Sequence, residues 1–413
     1  MRSVRIWARL LGIKRAVIED VSFDEESQAL VVSVRPRKKA KRRCGVCGRR
    51  CPLYDQGGGR RRWRVPDLGV TRCYLEADAP RVHCPEHAVV VAQVPWARHG
   101  AGHSYAFDDM VAWLATHTSK SAVCQLMRIT WRTVGNIITR VVAAAQQQRD
   151  PLDGLRRIGI DEVSYKRGHR YLTIVVDHDS GRLVWAAPGR DRKTLQRFFD
   201  LLGKERCAQI TDVTADGADW IAEVVADRCP NATLSVDPFH VVSWATDALD
   251  QVRREVWNAA RKSGQKARAR ELKGARFALW KNPEHLTKRQ RATLAQIANT
   301  NRPLYRAYLL KEQLRQVFHL PPEQAMALLD RWLAWARRCR LKPFVDLAKT
   351  VKAHLAGIRA AVTRGLSNGR VESVNTKIRL LTRVAFGFRS PQALIALAML
   401  DLGGFCPPLP GRT

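Results

Sequence analysis

The sequence predicts a multidomain α/β protein, and three observations predict it. From Arg157 to Val236 the apolar pattern alternates with the periods of strands and helices in the order βββαβαβ. From about 241 to 365 the pattern is helical throughout. The first hundred residues carry two Cys/His knuckles amid alternating apolar segments. A chain of 413 residues has room for several cores, so the expected parts are 1–104, 105–150, 151–240, 241–365 and 366–413. Its 46% hydrophobic and 26% charged residues exclude wholesale disorder. Apolar runs stay short of the ~18–20 residues of a membrane span. The N-terminal stretch is broken by Arg5 and Arg9, unlike a secretory signal, so a cytoplasmic location with reduced thiols is expected. A formal charge of +33 calls for a polyanionic partner, and nucleic acid fits best.

The N-terminal module opens with a hairpin signal, Ala16–Ser22 and Ser27–Val34 flanking Asp24-Glu25-Glu26. Cys44-Gly-Val-Cys47 and Cys84-Pro-Glu-His87 each place two ligands on a tight turn. Together Cys44, Cys47, Cys84 and His87 supply the tetrahedral Cys3His set that one structural Zn2+ prefers. Cys51 and Cys73 are alternatives for one ligand. The gap between the knuckles holds Trp63, Leu68, Val70, Tyr74 and Leu75 with partial alternation, which suits a hairpin. Basic runs at 37–43 and at Arg60, Arg61, Arg62 and Arg64 suit phosphate contacts.

Residues 105–150 switch to helical spacing, with Phe107, Val111, Leu114 and His117 on one stripe. Ser119–Met127, a turn at 128–130, and a helix from Trp131 fit a helix-turn-helix. Trp131, Arg132, Asn136 and Arg140 would then face outward from the reading helix. Asp150-Pro151 ends the segment.

The strands that follow carry acids. Asp161 lies among Ile158, Ile160 and Val163, and an acid there costs several kcal/mol unless it is paired or metal-bound. Asp216 ends the fourth strand, where it can come alongside the first; Asp212, four residues earlier on the same strand face, is the alternate. The order βββαβαβ with an acid on the first strand is that of a ribonuclease H-like fold. Two carboxylates sharing hard divalent cations would suit Mg2+ or Mn2+. The stretch 241–365 reads as an α-helical insertion, with Trp332 and Trp335 expected in its core. A helix is expected from about Gly369 to Arg383, with Val371, Val374, Ile378 and Leu381 on one face and Glu372 in its first turn.

The carrying motifs occur in a fixed order. They are the two knuckles, Val94-Pro-Trp-Ala-Arg98, Ile160-Asp-Glu162, Gly168-His-Arg-Tyr171, Asp216-Gly, Asp237-Pro-Phe-His-Val241, Ser367-Asn-Gly-Arg-Val-Glu-Ser-Val-Asn375 and Ala385-Phe-Gly-Phe-Arg389. By these the chain resembles bacterial insertion-sequence transposases of the DDE type, in the ISL-three family, over nearly all of its length. The resemblance implies a zinc-finger and helix-turn-helix region that binds DNA. It also implies Mg2+-dependent strand cleavage and transfer at terminal inverted repeats, on a ribonuclease H-like domain. Asp161, Asp216 and Glu372 match the three carboxylates, which would hold two Mg2+ (or Mn2+) ions. Asp237 with His240 resembles a D-x-x-H pair and is read as accessory to the site. Double-stranded DNA, both terminal repeats and target, is the expected partner. A homodimer or higher oligomer would bring two ends together, at the nucleoid. The competing readings are a zinc-containing DNA-binding regulator with an inactive core and a plain metal-dependent nuclease.

The charge is uneven. Residues 151–237 carry 13 basic and 14 acidic groups, whereas 1–104 carry 21 and 10, and 238–365 carry 26 and 9. The expected sheet is near neutral, and the segments on either side of it in the chain are basic.

Overall fold

The structure is a computed structural model that describes residues 2–412, with side chains from Ile6 onward. Met1 and Thr413, the ends of the outermost expected domains, lie outside the described residues. The chain divides into two compact units, one reaching Pro151 and resuming at Leu381, the other spanning Leu152–Leu380.

The first unit begins with α1 (Arg2–Leu10), β1 (Ala16–Asp24) and β2 (Ala29–Pro36), and β1 and β2 form the expected hairpin. β3 (Leu53–Asp55), β4 (Arg60–Leu68), β5 (Thr71–Asp78), β6 (Arg81–Cys84) and β7 (Ala88–Val91) follow. They sort into two sheets, β1-β2-β5-β4 and β3-β6-β7. The hairpin in the gap between knuckles therefore exists, as β4 and β5, but it joins the N-terminal sheet through a parallel β2–β5 pairing. Its inward residues Trp63, Val65, Cys73 and Leu75 share a core with Val32, Val34 and Trp96. Val70, read as part of the apolar pattern, is 89% exposed at the β4–β5 turn.

Three helices come next, α2 (Tyr105–His117), α3 (Lys120–Met127) and α4 (Trp131–Gln148). Each starts where a hydroxyl side chain can cap the free amides of a first turn. Ser104 accepts from Phe107 N, Ser119 from Ala122 N, and Thr130 from Thr133 N. The α3–α4 turn is short because Arg128 adopts a left-handed C-cap (φ 52°).

The second unit opens with β8 (Arg157–Lys166), β9 (Arg170–Asp177), β10 (Leu183–Pro188), α5 (Arg192–Leu202), α6 (Lys204–Cys207), β11 (Asp212–Ala215), α7 (Asp219–Arg228) and β12 (Thr233–Val236). The sheet order is β10-β9-β8-β11-β12. β8 pairs antiparallel with β9 and parallel with β11. This is the ribonuclease H-like arrangement, with the acid-bearing β8 at the centre. One face carries Ile158, Ile160 and Val213 against Phe198 and Phe199 of α5 and Val224 of α7.

The insertion is helical as expected: α8 (Pro238–Lys262), α9 (Lys266–Gly274), α10 (Arg276–Trp280), α11 (Lys288–Thr300), α12 (Arg302–Val317), α13 (Pro322–Arg338), α14 (Lys342–Ala353) and α15 (Leu355–Arg364). It builds its own core around Trp332, which is fully buried and donates from Nε1 to Leu310 O at 2.8 Å. α16 (Gly369–Val384) then packs its first turns on the remaining face of the sheet, Val371 lying against Gly159. A Cβ at Gly159 would stand 2.3 Å from Val371, so only glycine lets helix and strand approach this closely.

One expectation needs correction. Residues 366–413 do not close the sheet domain as a single piece: the chain from Leu381 belongs to the first unit. There α17 (Pro391–Leu402) packs on α4 and α2. Period alone does not name the face that an apolar helix will cover.

Candidate functional site

The knuckle ligands converge. Cys44, Cys47, Cys84 and His87 place one ligand atom each within 4.8 Å of one another. The measured edges are 3.8 Å for Cys44 Sγ to His87 Nδ1, 3.7 Å for Cys47 Sγ to Cys84 Sγ, and 3.6 Å for Cys84 Sγ to His87 Nδ1. Ligands ~2.0–2.3 Å from a tetrahedral ion stand about 3.5–3.8 Å apart, so the residues fit Zn2+. The amide of Val46 points at Cys44 Sγ (3.4 Å), as a knuckle turn requires. The His87 hydrogen bond draws the Cys84 thiol down to about 6, favouring the thiolate that binds metal. Cys51 lies beside the group in the same small core, its Sγ aimed at Arg49 O. Cys73, the other alternate, is buried in the separate core of the four-stranded sheet.

In the helical triplet, Trp131, Arg132 and Asn136 are exposed near the start of α4, and Lys120 Nζ stands 5.0 Å from the Trp131 ring centroid. Arg140 does not face outward. It donates to both oxygens of the fully buried Asp108 at 2.9 and 2.8 Å and clamps α4 to α2. A buried carboxylate must be paired, and that demand outranks the helical wheel. The β4 arginines are similarly committed. Arg64 is 7% exposed and pairs with Asp67, whose other oxygen takes Arg128 from the α3–α4 turn. Arg60 pairs with Glu76, Arg62 with Glu76 and Asp24, and Arg61 donates to Ala101 O. The expectation of phosphate contacts is corrected for Arg64, which is buried; Arg60 and Arg62 keep exposed side chains that are paired at the surface, and Arg61 is half-buried.

At the sheet, the parallel register sets Asp212 opposite Arg157 and Thr214 opposite Gly159. Continued by two residues, it brings Asp216 level with Asp161, whereas Asp212 lies at the far end of β11. Asp212 is buried there beside Arg364 and Thr211. Gly217 after Asp216 is pressed by Trp244 of α8, which a Cβ would meet at 2.6 Å.

Asp161 is half-buried, and burial pushes its carboxyl above the usual range, with Asp216 acting in the same direction. Its Oδ1 accepts the Glu162 amide and its Oδ2 accepts Asn375 Nδ2, each at 2.7 Å. Glu372 stands in the first turn of α16, on its exposed side. Burial, then Asp237 and Asp161, push its carboxyl up. Asp237 caps α8, and its Oδ1 also takes the Asn368 amide at 3.4 Å. Burial raises Asp237 as well; its Oδ2 is buried with no partner, and the half-buried His240 acts on it to lower the shift. The sequence-derived acids Asp161, Asp216, Glu372 and Asp237 thus share one field at one end of β8 and β11. They do not close as tightly as the knuckle: among the described residues, only the knuckle brings three or more such ligand atoms within 4.8 Å of one another.

Clustered carboxylates that raise one another, beside buried oxygens left without a donor, fit a divalent cation. Sequence reasoning assigned no role to several neighbours. Glu162 has a nearly buried side chain paired with Arg190, and burial, then Asp216, hold its carboxyl up at about 7. A buried polar chain links the strands to α16. Thr214 Oγ1 donates to Asn368 Oδ1 and sits 2.7 Å from His178 Nε2, so the histidine nitrogen is the donor. Burial, then the Arg370 charge, lowers the His178 pKa. Both amides lie in the Ser367–Asn375 motif; the signal at Asn375 is an amide in the otherwise apolar seam of Val371, Val374 and Ile378, whereas Asn368 precedes the helix.

Comparisons with known proteins bear on all three regions. Residues 40–87 match a zinc-finger family of insertion-sequence transposases, described for IS204, IS1001, IS1096 and IS1165. Residues 92–142 match the helix-turn-helix domain of transposase family ISL3, and residues 158–398 match the ISL3 transposase domain itself. The chain is 59% identical to the transposase for insertion sequence element IS1557 of Mycobacterium tuberculosis, in strains CDC 1551 / Oshkosh and ATCC 25618 / H37Rv, covering 100% of this chain and 98% of each relative. It is 26% identical to the transposase for insertion sequence element IS1001 of Bordetella parapertussis, over 91% of this chain and 92% of that one. With the zinc-finger, helix-turn-helix and ribonuclease H-like parts present in that order and the likeness covering the full length, the chain belongs to the ISL3 family of insertion-sequence transposases.

Proposed function

We propose that this transposase cuts and joins DNA at terminal inverted repeats through Asp161, Asp216 and Glu372. The observation that carries this reading is the set of carboxylates gathered at one end of the central strands, with Asp161 and Glu372 each raised by burial and by acidic neighbours. Asp161, Asp216 and Glu372 would hold divalent ions, Mg2+ or Mn2+. Bound there, such ions supply activation of the attacking oxygen and charge stabilisation of the leaving 3′-oxygen.

The protein's own share is positioning. β8 fixes Asp161 through its backbone, and Asn375 holds the second carboxylate oxygen. Asn368 anchors the start of α16 to β11 and to the α8 cap, which sets where Glu372 stands. Asp237, with His240 beside it, supports this clasp. Trp131, Arg132 and Asn136 at the start of α4 would read base edges in the major groove. The Cys3His knuckle would be stabilised by one Zn2+. Bringing two repeat ends together would take at least a homodimer, working on DNA in the bacterial cytoplasm. Among the described residues no helix is long and apolar enough to cross a membrane.

The test is a cleavage and joining assay on duplexes that carry the element's own ends and flanks. Asp161→Asn and Glu372→Gln should each abolish Mg2+-dependent cleavage while leaving duplex binding intact. Retained cleavage in either variant overturns the assignment.

A further inference from the structure

We propose that the tip of the β8–β9 hairpin, Lys166 to Arg170, is a phosphate-gripping wing for the duplex DNA that borders the scissile bond. This rests on the reading of Asp161 as a carboxylate of the reaction centre.

The tip is exposed at all five positions, Lys166, Arg167, Gly168, His169 and Arg170. Lys166 pairs with Arg170 across the ladder, so the loop itself is only Arg167, Gly168 and His169. Gly168 (φ 84°) and His169 (φ 57°) are both left-handed. A left-handed histidine costs about 1 kcal/mol, and here its ring stands 6.4 Å from that of Tyr171 at the edge of the exposed tip.

Among the described residues Lys166, Arg167 and Arg170 make no ion pair, unlike Arg157, Arg190, Arg192 and Arg228 but like Arg182 and Arg197 of the same segment; what sets the tip apart is three such cations within five residues. The segment 151–237 as a whole carries 13 basic and 14 acidic residues, so the tip is a local excess within a near-neutral domain. A paired arginine must give up its partner before it can meet a phosphate. An unpaired, exposed one exchanges only bound counterions, and that release favours binding. By this criterion the hairpin tip is better prepared for a phosphate backbone than the β4 arginines singled out by sequence.

Its place supports the choice of partner. Asp161 and Lys166 lie on one continuous strand, β8, five residues apart. At ~3.3 Å per residue that is roughly 17 Å, or about five base pairs along B-form DNA. A duplex with its scissile phosphate at Asp161 would offer the tip the phosphates about four to six pairs away. The bulge between Ser164 and Lys166 adds local twist that re-aims the tip relative to the rest of the strand.

The experiment uses the full-length protein and a terminal-repeat duplex with native flanks, in Ca2+ or without divalent ions so that binding is read apart from cleavage. The variant is Lys166→Ala/Arg167→Ala/Arg170→Ala. Its dependence of log Kd on log salt should be shallower than wild type by about 2–3, near 0.9 for each lost phosphate contact. Neutral methylphosphonates placed four to six pairs from the cut should weaken wild-type binding and leave the variant's binding unchanged. Arg167→Lys/Arg170→Lys should behave like wild type, and equal melting temperatures establish that all forms are folded. An unchanged salt slope, or a methylphosphonate profile identical in wild type and variant, overturns the proposal. If Asp161→Asn still cleaves, the reading of the acids fails whatever the hairpin does. If Asp161→Asn is inactive and the triple variant keeps the wild-type slope, the hairpin proposal alone fails.

Discussion

At the scale of single residues, the informative side chains are amides rather than acids. Asn375 is 3% exposed and donates from Nδ2 to Asp161 Oδ2 at 2.7 Å, the orientation that a carboxylate demands because it has no proton to offer. Groups that orient a metal-binding carboxylate affect metal affinity when removed, commonly by 10–100-fold. Asn375→Ala should therefore raise the Mn2+ concentration for half-maximal cleavage by about tenfold or more, with duplex binding unchanged. A loss of maximal rate with no change in that concentration would contradict a positioning role. Asn375 lies within a sequence motif, yet its spacing does not reveal that it reaches β8; that contact depends on α16 lying on the sheet.

Among the elements, the helix-turn-helix shows a fold requirement overriding a surface pattern. Caps at Ser104, Ser119 and Thr130 made the three helices legible, because a hydroxyl before an apolar-periodic run marks a helix start. Which polar face looks outward was not legible. Arg140 shares the exposed-looking stripe with Asn136 but is drawn in by the fully buried Asp108. Arg140→Ala leaves that carboxylate short of its main partner and should cost on the order of 3–5 kcal/mol, seen as a lower melting temperature of the first unit. Asn136→Ala and Arg132→Ala should leave melting unchanged and weaken repeat binding by about 1–3 kcal/mol per lost base contact, read by titration against matched and scrambled duplexes. The reverse pattern would place the reader elsewhere. The β4 strand teaches the same lesson: its arginines read as one basic run, but Glu76 of β5 and Asp24 of β1 come alongside Arg60 and Arg62, and Asp67 of β4 itself takes Arg64.

For the whole molecule, separate cores make the two units distinguishable by experiment. The knuckle core of Cys44, Cys51, Val82, Cys84 and Ala92 is small, and such a core relies on its metal. Cys84→Ala should lose about one zinc per chain by metal analysis and should expose the β3-β6-β7 sheet to hydrogen exchange. Protection of β8 and β11 should stay at the wild-type level. Zinc content unchanged by the substitution would refute the ligand set.

What the sequence determined by itself was local or periodic: the strand order βββαβαβ, the helical insertion, the Cys/His knuckles, the helix starts, and an acid placed inside an apolar strand. Each follows from backbone period, capping chemistry or ligand spacing, and those act over a few residues. What the tertiary structure decided was long-range. It chose Asp216 over Asp212 as the neighbour of Asp161, because the β8–β11 register fixes which end of the strand each acid occupies. It moved the β4–β5 hairpin into the N-terminal sheet and α17 onto α2 and α4, because an apolar face is satisfied by whichever partner buries it. It also separated arginines bound to internal acids from the open cations of the β8–β9 tip. Charge is a property of composition, but its availability depends on which opposite charges the fold has already brought alongside.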